Sequence, residues 1–381
     1  MSEQSPPGLY IHFPFCPRKC RYCDFYSVVD TELLPRWMQA VQREASTHTD
    51  FAGGFDTVYI GGGTPSLLSP GQVEDLLAGL RKHLSVAPDA LVTIEANPGT
   101  LSPEKLAGYR RVGVDGVNIG VQSLADADLV FLGRLHDSRK ARESIRWARG
   151  AGFSRIGVDL ICGIPGQEQQ AWARQLEEVA AWELEHLSCY MLSYEPGTPL
   201  AEALAAGGFL PMPDDAAAAL FLQTSLAFRE AGYIHYEVSN FARGSQNVSR
   251  HNTKYWDGTP YLGLGPAAHS FDRHRRWWNP RDVQAWLDKV GRGERPGAAT
   301  EILSAEDRCL EDLYLGLRQA RGIDAAVFED RHGLDFDRVF GGVIRDFDAA
   351  GLLVPDTGRV RLTVAGWLYL DEIAARLAAC L

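Results

Sequence analysis

The sequence predicts an α/β protein: a partial (β/α)6 barrel of the TIM type, followed by a small C-terminal winged-helix-like module. Three observations predict it. Short stretches rich in Val, Ile and Leu alternate with helical stretches along the first half of the chain. The residues of unusual chemistry fall where those stretches end, which is where parallel β/α barrels carry their sites. From about residue 300 the alternation gives way to helices and a hairpin pattern. A doubly wound sheet is the alternative arrangement of the same units.

Each element follows from its local pattern. Strands are predicted over 9–13, 55–60, 91–95, 116–121, 156–161 and 187–192, read as continuous apolar runs of a parallel sheet covered on both faces. Helices are predicted between them over 35–47, 70–84, 103–112, 139–150 and 169–182. Residues 1–240 thus form the barrel domain. Residues 241–299 form a linker segment packing on the barrel, with "RHNTKYWDG", "YLGLGPAAHSF" and the basic aromatic "DRHRRWWNPR". Residues 300–381 form the last module, with helices near 307–319 and 336–350. A two-stranded wing turns at 356–358, and a final helix follows.

Composition excludes several function classes. Hydrophobic residues make up 45% and charged residues 23%, the balance of a globular protein. No apolar run is long enough to span a bilayer, so an integral membrane protein is not expected. The start, MSEQSPPGLY, has neither a basic nor an apolar signal region, and the expected compartment is the cytoplasm. The net charge of -11 argues against a nucleic-acid partner. The last module carries 9 basic and 15 acidic residues, net -6, so its wing is expected to be structural or protein-facing rather than DNA-reading.

Seven cysteines are present. Cys162, Cys189, Cys309 and Cys380 lie in apolar contexts and read as small core residues. Cys16, Cys20 and Cys23 crowd into "YIHFPFCPRKCRYCDF", just after the first strand. Three thiols at that spacing can converge on one centre. An iron–sulfur cube with one open iron suits them, while structural zinc, the alternative, takes four ligands. Pro14 and Pro17 stiffen the loop, and Arg18, Lys19 and Arg21 offset thiolate charge.

The CxxxCxxC pattern, followed one unit later by "GGGTP", resembles the radical SAM superfamily across roughly residues 8 to 240. That resemblance implies a [4Fe–4S] cluster on Cys16, Cys20 and Cys23, with the amine and carboxylate of S-adenosylmethionine on the fourth iron. It implies that the backbone of Tyr22 faces the adenine. Gly61, Gly62 and Gly63 lack Cβ atoms where a strand ends, so a ligand can approach the backbone closely. In the superfamily these carbonyls receive the methionine amine, with Thr64 on the same wall.

Four more residues end or follow strands. Glu95 in "TIEANP" offers a carboxylate, Gln122 in "GVQS" an amide, and Arg134 in "LGRLH" a fixed positive charge. Asp159 in "GVDLICGIPGQ" is an acid inside an apolar strand, costly unless paired. Each alone is as compatible with a structural hydrogen bond as with a ligand contact. Together they resemble the S-adenosylmethionine-binding positions of the branch containing oxygen-independent coproporphyrinogen dehydrogenase (HemN), as does Tyr10.

Two features depart from the dehydrogenase. Its fourth cysteine is replaced here by Phe25, and only 15 residues precede Cys16 where it has a long arm. The remaining pattern, "CxxxCxxCDFYS", "RHNTKYW" and the last module, resembles the haem-chaperone family HemW. That resemblance implies haem as ligand and a haem-acceptor protein, a membrane-associated respiratory protein, as partner. It also implies a homodimer, and haem binding at His251, Asn252, Tyr255 and Trp256. His269 is an alternative iron ligand, and Arg273, Arg275 and Arg276 could meet propionates. Three other readings stay open: a coproporphyrinogen dehydrogenase, another radical SAM enzyme such as a C-methyltransferase, and a zinc-bound interaction protein. Cleavage of S-adenosylmethionine is expected; coproporphyrinogen dehydrogenation is not.

Overall fold

The computed structural model describes residues 5–51, 53–356 and 358–381. Thr357, within the expected wing turn, and the first four residues lie outside the described residues. Six parallel strands form the barrel wall: β1 (Gly8–Phe13), β2 (Phe55–Gly62), β3 (Val86–Ala96), β4 (Gly116–Gln122), β5 (Arg155–Cys162) and β6 (His186–Met191). They lie side by side in chain order, with Tyr10 opposite Tyr59, Glu95 opposite Asn118 and Asp159 opposite Ser188. Every expected strand is present, and β3 begins earlier than its apolar run suggests.

The sheet does not stop at the barrel. Beyond β6 it adds β7 (Ile234–Glu237) and β8 (Asn240–Ala242), both antiparallel additions. Beyond β1 it adds β9 (Tyr261–Leu264), β10 (His269–Phe271), β11 (Arg275–Trp278) and β12 (Ala299–Ile302), giving twelve strands in all. Much of segment 241–299 therefore extends the sheet edge. β9 pairs with β1 in parallel, from Gly8 opposite Tyr261 to Ile11 opposite Leu264.

The strands alternate more sharply than a continuous apolar run. Outward positions such as Val58, Ile60, Val92, Ile94, Val117, Ile119, Ile156, Val158, Leu160 and Leu187 are buried under the helices. Trp37, Leu76, Leu106, Ile145, Trp172 and Leu176 cover them from the helix layer. Inward positions are polar or small instead: Tyr59, Thr93, Glu95, Asn118, Gly157, Asp159, His186 and Ser188. The hydrophobic core thus lies between sheet and helices, and the barrel bore remains a cavity. Removing one side chain of this core, as in Leu176→Ala in the helix layer, is expected to cost about 2–5 kcal/mol.

Helix boundaries follow local chemistry. Pro70–His83 starts at a Ser69–Gln72 capping box, and Pro103–Arg111 starts at Ser102, which accepts from the Lys105 N–H. The short helix Asp126–Leu132, not anticipated from sequence, ends at Gly133 in the left-handed conformation (φ +74°) and so delivers Arg134 to the site.

The last module begins at a Ser304–Asp307 capping box. Its sheet has three short strands, β13 (Ile323–Asp324), β14 (Leu353–Val354) and β15 (Arg359–Leu362), with β15 central, where a two-stranded wing was expected. Its own core gathers Leu313, Leu317, Phe336, Phe340, Trp367 and Ile373, with Phe221 of the helix Asp214–Glu230 inserted. Cys309 belongs to that core, whereas Cys380, expected there too, is exposed at the end of the terminal helix. All seven cysteines are free thiols.

Candidate functional site: the barrel bore

A cavity of about 670 Å³ runs along the inside of the barrel. At its mouth, beyond the C-terminal strand ends, stand Cys16, Cys20 and Cys23. The cysteine loop is closed at its base where the Cys16 N–H donates to Val28 O (2.9 Å) and the Val28 N–H to Pro14 O (2.7 Å). Arg18 braces it from the side through Gly133 O (2.6 Å). Thr64 Oγ1 approaches Cys16 Sγ at 3.4 Å, and Arg134 Nη1 approaches Cys20 Sγ at 3.4 Å. Burial raises the pKa of the Cys16 thiol and pushes that of Cys23 up to about 11, so both are protonated until a metal centre takes them as thiolates. Among the described residues, no three or more His, Cys, Asp or Glu side chains are arranged to hold a single metal ion.

The glycine run lies against this loop. The Gly63 N–H donates to Phe13 O (2.7 Å) and the Thr64 N–H to Phe15 O (2.8 Å). A Cβ on Gly63 would stand 2.6 Å from Phe15 O, and Gly62 has φ +111° with the His12 ring 2.8 Å from where its Cβ would be. Only glycine fits this cradle.

The walls carry the charged candidates. Glu95 accepts from Tyr59 OH and the Gly62 N–H, both at 3.0 Å. Burial, and then the charge of Asp159, push its pKa up to about 7. Asp159 accepts from Asn118 Nδ2 at 2.7 Å through one oxygen, while its other oxygen, Oδ1, is buried without a partner. Arg134 donates to Gly120 O (2.8 Å) and reaches Tyr22 OH (3.4 Å), and its Nε is likewise buried and unpartnered. Gln122 holds a left-handed backbone (φ +69°) at the β4 bulge, an uncommon conformation that turns the chain at the mouth.

The floor of the bore, at the strand N-termini, differs. His251, on the helix Arg250–Trp256, lines the cavity from below. Its Nδ1 is 2.9 Å from Thr57 Oγ1 and its Nε2 is 2.9 Å from Tyr255 OH. Its ring stacks on Tyr59 at 5.0 Å. Burial, reinforced by Lys254, lowers its pKa to about 3, so the imidazole is neutral.

Of the residues singled out from sequence, Cys16, Cys20, Cys23, Tyr22, Gly62, Gly63, Thr64, Glu95, Gln122, Arg134, Asp159 and His251 line this one cavity. Tyr10 is not among the lining residues; it stands behind Tyr59, with its OH 3.1 Å from His12 Nδ1. His269 is on β10, stacked on Trp278. Arg275 pairs with Asp272 and Arg276 with Glu311, so both guanidinium groups are engaged away from the bore. Sequence reading missed Tyr59, Asn118, His186 and Ser188. The signal was the two-residue alternation within β2, β4 and β6, which puts each of them on the inner face.

Known proteins resemble this chain along nearly its whole length. A profile of the radical SAM superfamily matches residues 10–178, and one of the HemN C-terminal domain matches residues 303–369. "Heme chaperone HemW" of Mycobacterium tuberculosis (strain CDC 1551 / Oshkosh) is 35% identical, over 98% of this chain and 95% of its own. The chain belongs to the HemW family of radical SAM proteins. "Heme chaperone HemW" of Bacillus subtilis (strain 168) is 32% identical over 96% of this chain and 97% of its own. The mitochondrial radical S-adenosyl methionine domain-containing protein 1 of Bos taurus is 34% identical over 98% and 89%. Among solved structures, coproporphyrinogen III oxidase (HemN) from Escherichia coli superposes with a TM-score of 0.84. At 23% identity, over 99% of this chain and 91% of that one, it supports the shared fold. Radical SAM membership implies a [4Fe–4S] cluster and S-adenosylmethionine. No helix is long and apolar enough to cross a membrane among the described residues.

Proposed function

We propose that this protein is a haem chaperone: it holds a [4Fe–4S] cluster, S-adenosylmethionine and haem, and passes the haem to an acceptor protein. The observation that carries this reading is the continuity of one bore, lined by both polar and apolar surface, from the three thiols to the His251 helix. Cys16, Cys20 and Cys23 would hold the cluster. The glycine cradle and the unpartnered atoms Arg134 Nε and Asp159 Oδ1 suit a polar ligand seated between them. S-adenosylmethionine, when bound beside a reduced cluster, can supply a 5′-deoxyadenosyl radical.

The chain's own residues orient that ligand. Glu95, fixed by Tyr59 and the Gly62 N–H, presents a carboxylate to ribose hydroxyls or an ammonium. Arg134 presents a cation to a carboxylate and screens the thiolate of Cys20. Gln122 and Thr64 close the sides. The lower bore, with His251 in its floor, would hold the haem. His251 could ligate iron only by giving up Thr57 or Tyr255. The relatives named "Heme chaperone HemW" support the cargo. Phe25, 67% exposed at the cavity, stands where the dehydrogenase carries its fourth cysteine. The acceptor in this reading is a membrane-associated respiratory protein, and the working form is a homodimer.

Anaerobic reconstitution tests the proposal, with haem and coproporphyrinogen run in parallel. Haem uptake with a Soret band, and no coproporphyrinogen-dependent 5′-deoxyadenosine, is the expected result. Substrate-dependent 5′-deoxyadenosine without haem uptake would assign a dehydrogenase instead.

A further inference from the structure

We infer that the nitrogen that binds haem iron in this bore is Nδ1 of His186, an inference resting on the haem reading above. His186 opens β6, and its side chain lines the cavity on the same inward face as Ser188 and Tyr190. Its Nε2 is 2.7 Å from Tyr236 OH, with the rings 5.8 Å apart. Its Nδ1 makes no hydrogen bond among the described residues, whereas both nitrogens of His251 are bonded. Iron takes the lone pair of a neutral imidazole, and a partner on the other ring nitrogen fixes which nitrogen carries it. Tyr236 is such a partner: when its oxygen accepts from Nε2–H, the lone pair sits on Nδ1. Burial keeps the ring neutral, with its pKa lowered to about 4.

The surroundings suit an iron porphyrin. Arg155 and Arg250 line the same lower stretch, where propionates need cations. Arg155 is tied only through Nη1 to Gln246 O at 3.2 Å, while Arg250 is shared with Asp56. Tyr190 and Met191, both exposed at the cavity, offer apolar surface to the edge of a macrocycle. Ligation at His186 leaves the His251 floor intact.

Haemin titration of the anaerobically reconstituted full chain tests this, read by Soret position and low-spin electron paramagnetic resonance. Iron and sulfide content serve as the check of folding. His186→Ala is expected to weaken haem binding at least tenfold and to abolish the low-spin signal. His251→Ala is expected to change affinity less than threefold. Added imidazole should restore the low-spin signal in His186→Gly and not in His251→Gly, a rescue that a merely structural histidine would not show. Tyr236→Phe should retain uptake with a shifted Soret maximum. Loss of ligation in His251→Ala with wild-type spectra in His186→Ala overturns the inference and leaves the chaperone reading standing. Failure of the wild-type chain to take up haem overturns the chaperone reading itself.

Discussion

The mouth and the floor of the bore are built on opposite terms. At the mouth, beside the thiols and the glycine cradle, two buried polar atoms, Arg134 Nε and Asp159 Oδ1, stand without hydrogen-bond partners among the described residues. At the floor, His251 is bonded on both sides and stacked, and its helix is held by the last module. Gln319 Nε2 donates to Trp256 O at 3.1 Å, Arg321 pairs with Asp257, and the Arg318 guanidinium lies 4.3 Å from the centre of the Trp256 ring. Arg318 Nε also approaches Glu237 Oε2 at 2.8 Å, an ion pair without hydrogen-bond alignment. Unmet hydrogen-bonding capacity in a buried place is expensive and marks a surface waiting for a ligand. Saturated capacity, as at both ring nitrogens of His251, marks a structural joint; among the described residues, the unbonded Nδ1 of His186 and the buried, unpartnered Trp256 Nε1 are the floor's exceptions.

Mouth and floor should respond differently to substitution and to pH. The largest effect belongs to the mouth. Replacing Cys16, Cys20 and Cys23 by Ala should take iron and sulfide from about four each per chain to none. Ligand-free stability should stay within about 0.5 kcal/mol. A comparable loss of melting temperature would mean that the loop is structural. The floor should respond the other way. Tyr255→Phe leaves His251 Nε2 buried without its partner, at a cost of about 1–3 kcal/mol, readable as a lower urea midpoint with cluster content unchanged.

Acidity offers the third test. The pKa of Glu95 is raised from 4.5 to about 7 by burial and Asp159, so the carboxylate is lost as pH falls through 7. S-adenosylmethionine affinity should therefore drop below pH 7, by up to tenfold per pH unit. Asp159→Asn should move that midpoint down. In the ligand-free protein the sign reverses. Protonated Glu95 favours the fold, and its contribution is complete below about pH 4.5 and lost as pH rises through 7. A pH-independent affinity would remove Glu95 from the ligand. The smallest effect is Arg321→Ala, an exposed partner of Asp257, which should cost under about 1 kcal/mol.

The six barrel strands, the cysteine loop and the mouth residues were legible in the sequence because each is a local signal; the six strands that extend the sheet were not. Thiol spacing, a triple glycine and an acid ending a strand need no tertiary information. The floor was legible only as a motif. That His251 is already bonded depends on Thr57, which is 194 positions away. His186 was hidden for a similar reason: "HLSCYM" reads as an apolar strand until the alternation of His186, Ser188 and Tyr190 is assigned to the inside. Glu44 shows the same limit. Its fully buried carboxylate accepts from Gly265 N–H, Asn279 Nδ2 and Trp286 Nε1, joining the helix Leu34–Ser46 to the extended sheet edge. Nothing near residue 44 announces those partners.

A barrel whose main apolar core lies outside its wall is held together like a cask by its hoops. The unpartnered positions of its inner lining can be refitted, exchanging one cargo for another, with little strain on the staves.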